Sequence, residues 1–424
     1  MKIAILGYGI EGESVYNYYR TKYPEAQFTA YDNNEQPKIQ LPIGVEFVGG
    51  VKDFKGIDAD IAIKTPAIAP WNVDVTGEVT TMTREFLKQC PAPVIGVTGT
   101  KGKGTTASLI ESILDAGGIK TWLVGNIGIG AFDVLDKISP DDVVVYELSS
   151  FQLWDLDVSP HVAVVLGVEP EHLDVHKDID DYVNAKGHIA EFQKTDDVVV
   201  YKYGNEYSSA IASKSSGQSI PYLNESGAHI KSDYFYFGDR QLCKTDVINV
   251  IGDHNKENAC AAIAASWQWV QDPEVIAEGL SNFDGLPYRI NHIRDLDGVS
   301  YYNDSYSSAP PATVVALKSL QQPTILIAGG YDRELDYNNL GKFIDGWKFS
   351  KKTLLIGQTA SKISDGLTEG KYEILGTLEK AVERAHELAV DGDVVLLSPG
   401  CASFDMFPNF TARGQRFTEL VEQL

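Results

Sequence analysis

The stretch VIGVTGTKGKGTTASLIESIL at residues 94–114 leaves few folds open to this chain. An apolar run passes into a glycine-rich loop carrying Lys101 and Lys103, and a helical pattern follows at once. That order needs a strand ending at the rim of a sheet and a helix N-terminus beyond it, whose free N–H groups and dipole favour negative charge. Backbone groups across Gly99, Thr100, Lys101, Gly102, Lys103, Gly104, Thr105 and Thr106 can then wrap phosphate oxygens. Lys103 would neutralise the β and γ phosphates, and a hydroxyl beyond it would ligate magnesium. The loop departs from the strict G-x-x-x-x-G-K-[ST] pattern: Val97 stands at the first glycine position and Gly104 directly follows the lysine, so the hydroxyl falls to Thr105. A flexible basic turn is the bland alternative, and the strand before and helix after argue against it.

Strand-like apolar runs alternate with helical stretches along nearly the whole chain, which predicts an α/β class of parallel sheets wound with helices. Strands are expected at 2–7, 28–32, 60–65, 94–99, 142–148, 162–168, 197–201, 324–330 and 393–400. A length of 424 residues exceeds a single compact core. KQCPAPV at 88–94 and NFDGLPYRI at 282–290 read as boundaries, giving three expected domains over 1–90, 91–284 and 285–424. The tract 204–245, rich in Ser, Gly and Tyr, breaks the alternation and reads as an irregular or antiparallel excursion.

With 36 basic and 59 acidic residues the net charge is −23, which repels nucleic-acid backbones on average. A local basic pocket can still hold a phosphate. Cys90, Cys243, Cys260 and Cys401 stand singly, so neither a zinc ribbon nor a disulfide framework is readable. The chain opens on strand-like KIAILG without the regions of a signal peptide, and its apolar runs are too short to span a bilayer. The expectation is a cytoplasmic enzyme with no membrane span and no nucleic-acid partner.

A second glycine turn, Gly7-Tyr8-Gly9-Ile10-Glu11-Gly12, follows the first strand, and the second strand ends at Asp32. This G-x-G-x-x-G suits any diphosphate, whether of a nicotinamide cofactor or of a UDP-sugar, because its glycines allow close backbone approach. Candidate ligands for magnesium, or for manganese, lie at later strand ends: Glu147 in YELSSFQL and His172 within Glu169-Pro170-Glu171-His172-Leu173-Asp174. Composition alone reads Lys186 as a solvent-facing helical lysine, and Asn258, Arg289 and Asp304 as ordinary residues.

Taken together, GYGIEG, TPAIAP, VTGTKGKGTT, GNIG, YELSSFQL, EPEHLD, NAKGHI, DHNKEN, GLPYR, NDSYSS, AGGYDRELDY and LSPGCASFDMFPNFTARGQRF resemble, in order, the ATP-dependent Mur ligases of peptidoglycan synthesis. The last segment is similar to the C-terminal signature of the member that adds D-glutamate. The resemblance implies a Rossmann-like UDP-sugar domain, a central P-loop ATP domain and a Rossmann-like amino-acid domain, in a monomer. It implies an acyl-phosphate route joining glutamate to UDP-N-acetylmuramoyl-L-alanine. Gly9, Ile10, Glu11, Asp32, Asn33 and Ala67 would then surround the UDP-sugar, with Asn126, Ser149 and Gln152 on its muramoyl-alanine arm. Lys103 and Thr105 would sit on the ATP phosphates, with Asn258, Arg289 and Asp304 clamping ATP across a domain junction.

The same resemblance gives Thr105, Glu147 and His172 to magnesium and makes Lys186 the lysine that CO₂ carbamylates, turning a cation into a metal-orienting anion. Ser308, Arg333, Ser403, Phe404 and Phe410 would hold the amino acid, Arg333 pairing with a carboxylate. Three positions depart from the family pattern. Tyr306 replaces a lysine near the amino acid, Glu11 replaces a small hydroxyl residue near the diphosphate, and Gly104 is as in folylpolyglutamate synthases, which share the ligase core. Another amino acid such as L-glutamate, a nicotinamide-dependent oxidoreductase and a nucleotide-binding protein without turnover are the alternatives.

Overall fold

A computed structural model describes residues 1–126 and 128–424; Ile127, inside the GNIG segment, lies outside the described residues. The chain divides into two compact units, one of residues 1–248 and 254–283, the other of 249–253 and 284–424.

The first unit holds two large parallel sheets and a small two-stranded one of Phe54–Ile57 and Val73–Val75. In the N-terminal large sheet the order is Val45–Val48, Gln27–Tyr31, Lys2–Leu6, Ile61–Lys64, Glu78–Thr81. The second runs Gln218–Tyr222, Val198–Lys202, Val162–Val165, Val94–Thr98, Val143–Glu147, Thr121–Gly125. Strands such as Val94–Thr98 and Val143–Glu147 are buried at every position, as expected where helices cover both faces of a parallel sheet. Each large sheet reverses its winding beside its first strand: Lys2–Leu6 lies between Gln27–Tyr31 and Ile61–Lys64, and Val94–Thr98 between Val162–Val165 and Val143–Glu147. Ligands of such sheets bind at the carboxyl ends of strands at these reversals. Both glycine turns leave from those two strands.

The tract 204–245 contains a helix, Glu206–Ala212, the edge strand Gln218–Tyr222, and an antiparallel sheet of Ala228–Lys231, Tyr234–Phe237 and Arg240–Lys244. The second unit has one six-stranded sheet, ordered Asn291–Leu296, Val299–Asn303, Val394–Leu397, Thr324–Ala328, Ser350–Ile356, Tyr372–Gly376. Only its first pair is antiparallel. All nine strands expected from sequence are present within a residue or two at their starts, and the α/β class holds.

The phosphate-loop helix, Lys103–Ala116, is seated against Pro273–Ser281 through a glycine. A Cβ on Gly279 would stand 2.5 Å from Ile113 Cα. Ser112 Oγ donates 2.6 Å to the Gly279 carbonyl at the same crossing. Gly279→Ala must therefore force the helices apart, and we expect a loss of about 2 kcal/mol in urea unfolding, within the range for overpacking.

Candidate functional site

The phosphate loop is shaped by two glycines in conformations that other residues rarely adopt. Gly99 and Gly102 have φ of +150° and +85°. A Cβ on the first would meet Leu166 Cβ at 2.6 Å, and on the second Asn258 Oδ1 at 2.4 Å. Gly102 also precedes the helix without any side-chain cap, so the first turn's N–H groups are left to a ligand. Asn258 is thereby brought against the loop.

Beneath the loop lie two lysines. Lys103 Nζ folds back to the carbonyls of Gly99 (3.2 Å) and Thr100 (3.1 Å). Lys186 Nζ donates to the same Gly99 carbonyl at 2.9 Å and to Thr98 Oγ1 at 3.4 Å. Lys186 is 1% exposed, which corrects the solvent-facing reading from composition. Its helix, Ile179–Glu191, turns that position inward beside Ala185, Gly187 and Ile189. Burial, and then repulsion from Lys103, hold the Lys186 amine well below its ordinary pKa, while Glu171 and Glu147 pull the other way. Tyr182 completes the floor: its ring lies under Lys186 Nζ at 4.6 Å and its hydroxyl meets Thr100 Oγ1 at 3.1 Å.

Glu147 ends its strand buried, and it shares this electrostatic neighbourhood with Lys103, Glu171 and Lys186. Lys101 pairs with Glu171 at 2.7 Å, and His172, at φ +57°, lies 3.8 Å from Glu171. Among the described residues no three His, Cys, Asp or Glu side chains gather as a metal cluster. The donor set still fits magnesium, which takes one or two carboxylates and completes its octahedron with phosphate oxygens and water. Thr105, half-buried on the first helical turn, supplies a hydroxyl. Sequence reasoning passed over His176, whose Nδ1–H donates to Asp181 (2.8 Å) and whose Nε2 bonds Ser150 Oγ (2.9 Å), tying the 169–176 loop to the Lys186 helix.

At the N-terminal turn Asp32 does structural work. Its Oδ2 accepts Tyr8 N–H at 2.7 Å and its Oδ1 accepts Asn34 N–H at 2.8 Å. Burial opposes the charge, but these donors prevail and lower its pKa. Gly9 caps the next helix with no side-chain bond, and Ile10, Asn33 and Ala67 are exposed around the turn. Glu11 faces solvent there, yet is crowded enough that desolvation raises its carboxyl. Asn126, Ser149 and Gln152 converge: Gln152 Oε1 accepts Asn126 Nδ2 at 3.0 Å and Ser149 N–H at 2.8 Å in a capping box.

In the second unit Asp304 is buried, with Ser398 Oγ donating to it at 2.6 Å. Burial pushes its carboxyl up to about 6, against hydrogen bonds from Ser307 and Ser398 and the charge of Arg289. Arg333 and Phe404 are exposed and stacked at 5.6 Å. Ser403 is buried, its carbonyl accepting the N–H groups of Met406 and Phe407, and Ser308 is half-buried. Phe410 packs edge-on to Tyr306 at 5.1 Å. The residue that sequence reasoning missed here is Arg413, inside the quoted C-terminal segment. Fully buried, it donates to the carbonyls of Cys401 (3.0 Å), Ala402 (3.1 Å) and Ser305 (2.8 Å) and to Ser305 Oγ (3.0 Å). It fastens the loop before Ser403 to the loop holding Asp304 and Tyr306. Its only sequence signal was its place in that segment.

Two outcomes are expected. Arg413→Lys supplies one point charge where a planar fork makes four bonds, and should cost about 3 kcal/mol in urea unfolding. Asp304 has a folded pKa above the unfolded value of about 3.9, so between about pH 4 and pH 6 the folded chain binds the extra proton. Stability from this group is complete below that window and lost as pH rises through it. Asp304→Asn should remove a fall of about 3 kcal/mol, read as the difference between the two pH-dependent unfolding curves.

Comparison with known proteins is consistent along the chain. The Mur ligase middle domain family matches residues 97–266, and the Mur ligase, glutamate ligase domain family matches 288–401. A UDP-N-acetylmuramoylalanine–D-glutamate ligase of Acetivibrio thermocellus is 38% identical, covering 100% of this chain and 96% of its own. The enzyme of that name from Clostridium kluyveri is 34% identical, covering 100% and 97%. Among solved structures, a UDP-N-acetylmuramate-alanine ligase from Thermotoga maritima overlays with a TM-score of 0.64 at 18% identity, over 100% of this chain and 99% of that one. A MurF ligase of the same organism, in complex with ADP, gives 0.57 at 17% identity, over 86% and 88%. With such likeness from end to end, the chain belongs to the Mur ligase family.

Proposed function

We propose that this chain is an ATP-dependent amide-forming ligase that joins D-glutamate to UDP-N-acetylmuramoyl-L-alanine. The observation that carries the reading is the uncapped glycine loop with Lys103 and Lys186 both drawn to the Gly99 carbonyl. The Lys103 ammonium beside an uncapped helix N-terminus makes a site that an anionic polyphosphate relieves. The names of the full-length relatives support the substrate and the amino acid.

On this reading residues 1–90 hold the UDP-sugar, 91–284 the ATP and 285–424 the amino acid, in a cytoplasmic monomer with hinges near 88–93 and 283–287. The muramoyl-alanine carboxylate attacks the γ-phosphorus, the bond to the β–γ bridging oxygen breaks, and ADP leaves. The glutamate amine then attacks the acyl phosphate carbonyl, gives up a proton to a base, and inorganic phosphate departs as the tetrahedral intermediate collapses. Phosphoryl transfer asks a protein mainly for positioning and charge, which Lys103 and the loop N–H groups supply. Asn126, Ser149 and Gln152 would orient the attacking arm, and Arg333 with Ser308, Ser403, Phe404 and Phe410 the incoming amino acid. Magnesium, when bound through Thr105, Glu147 and His172, spreads the charge developing on phosphate. The depressed Lys186 pKa favours the neutral amine, the form that adds CO₂, and supports a carbamate there.

Incubation with ATP, Mg²⁺, UDP-N-acetylmuramoyl-L-alanine and each glutamate enantiomer tests the proposal. We expect phosphate and amide product with the D form, and a loss of about 10³-fold in phosphate release for Lys103→Ala. Product from L-glutamate alone would replace the amino acid in the proposal; an absorbance change with NAD(H), or ATP binding without phosphate release, would overturn the reaction.

A further inference from the structure

Arg289 is the most conspicuously prepared cation of the second unit. Its guanidinium carbon stands 3.7 Å from the centre of the Tyr306 ring, a stacking distance. Beyond the more distant charge of Asp304, its N–H groups donate to no acceptor among the described residues, so a fork of donors is left open. The backbone around it is strained into place: Tyr288 and Ile290, on either side, have φ of +64° and +48°, a region that bulky and β-branched residues avoid. The Tyr306 N–H donates 2.9 Å to the Tyr288 carbonyl, which fixes the ring's own loop against this segment. Phe410 packs against the same ring, edge to face at 5.1 Å and 84°.

The geometry points to Tyr306 as a positioning residue that holds Arg289 as a preset clamp for a phosphate oxyanion. This rests on the ATP-ligase reading above. A lysine at 306 would set a second cation beside Arg289 and repel it. The aromatic face attracts the guanidinium, immobilises its plane and leaves its edge donors free for an oxyanion. Tyr306 is 43% exposed, so the ring's role does not depend on its being core. The departure from the family's lysine is then a rearrangement of charge around Arg289, and the hydroxyl of Tyr306 is dispensable to it.

Binding of a non-hydrolysable ATP analogue to the full chain by calorimetry, with steady-state KM for glutamate, tests the assignment. Tyr306→Leu should weaken the analogue by about 3- to 30-fold. Tyr306→Lys should weaken it at least as much, and Tyr306→Phe should restore affinity to within about twofold. In Arg289→Ala, adding Tyr306→Leu should bring no further loss. Melting temperatures of all variants check that the fold persists. An unaltered analogue affinity in Tyr306→Leu, equal losses in the Leu and Phe variants, or an effect confined to the glutamate KM would overturn the assignment while leaving the ligase reading standing. A wild-type chain that binds no analogue would overturn both.

Discussion

The first unit is organised around positive charge held out of water. Two lysines converge on the Gly99 carbonyl, one of them buried, and a third, Lys101, is spent on Glu171. Burying an ammonium is unfavourable, and bringing a second beside it is worse. The loop can carry this only because its carbonyls and the Tyr182 ring accept what they can and because Glu147 and Glu171 lie near. The conflict drives Lys186 towards its neutral form, and the charge left on Lys103 is what gives the site an appetite for polyanions. The dipole at Gly102 adds to it in the same direction. Structure elsewhere in the unit serves that arrangement: Gly279 lets a helix press against Ile113, and the buried valine strands fix where Gly99 and Glu147 emerge.

In the second unit the same chemistry is handled differently. Arg413 is buried among neutral carbonyls and a hydroxyl, with four donor bonds, and burial draws its pKa down to about 10. Arg289 and Arg333 instead rest on aromatic rings with their edges free. A buried guanidinium with four of its five donors occupied serves structure. One that is stacked is oriented at little cost in hydrogen-bonding capacity, and so remains available to a ligand.

Much of this was legible from sequence where a single local rule governed the residue. Continuous apolar runs such as 142–148 had to be strands buried on both faces, and glycines after them had to turn. Edge strands escaped: Thr121–Gly125 and Val45–Val48 are half-exposed and too mixed in character to stand out. The burial of Lys186 was invisible because its position in YVNAKGHI reads as polar; only the tertiary placing of the Gly99 carbonyl creates a cavity in which an amine is satisfied. Arg413 was hidden for the same reason. Its partners lie 11 to 108 residues away, at loop carbonyls that carry no side-chain signature.

Tyr306 shows where such reasoning stops and what then takes over. In sequence it is a missing lysine, a deficit. Its meaning changes once Asn291–Leu296 pairs with Val299–Asn303, since the Asn291 to Asn303 register sets residues 288–290 opposite 304–306. That hairpin brings Arg289, seventeen positions earlier, onto the ring, and brings Asp304 within reach of the same charge. The substitution cannot be judged by the charge it removes, because the fold hands its ring to a cation already present. Loss of a formal charge at one position is thereby converted into orientation of a charge at another.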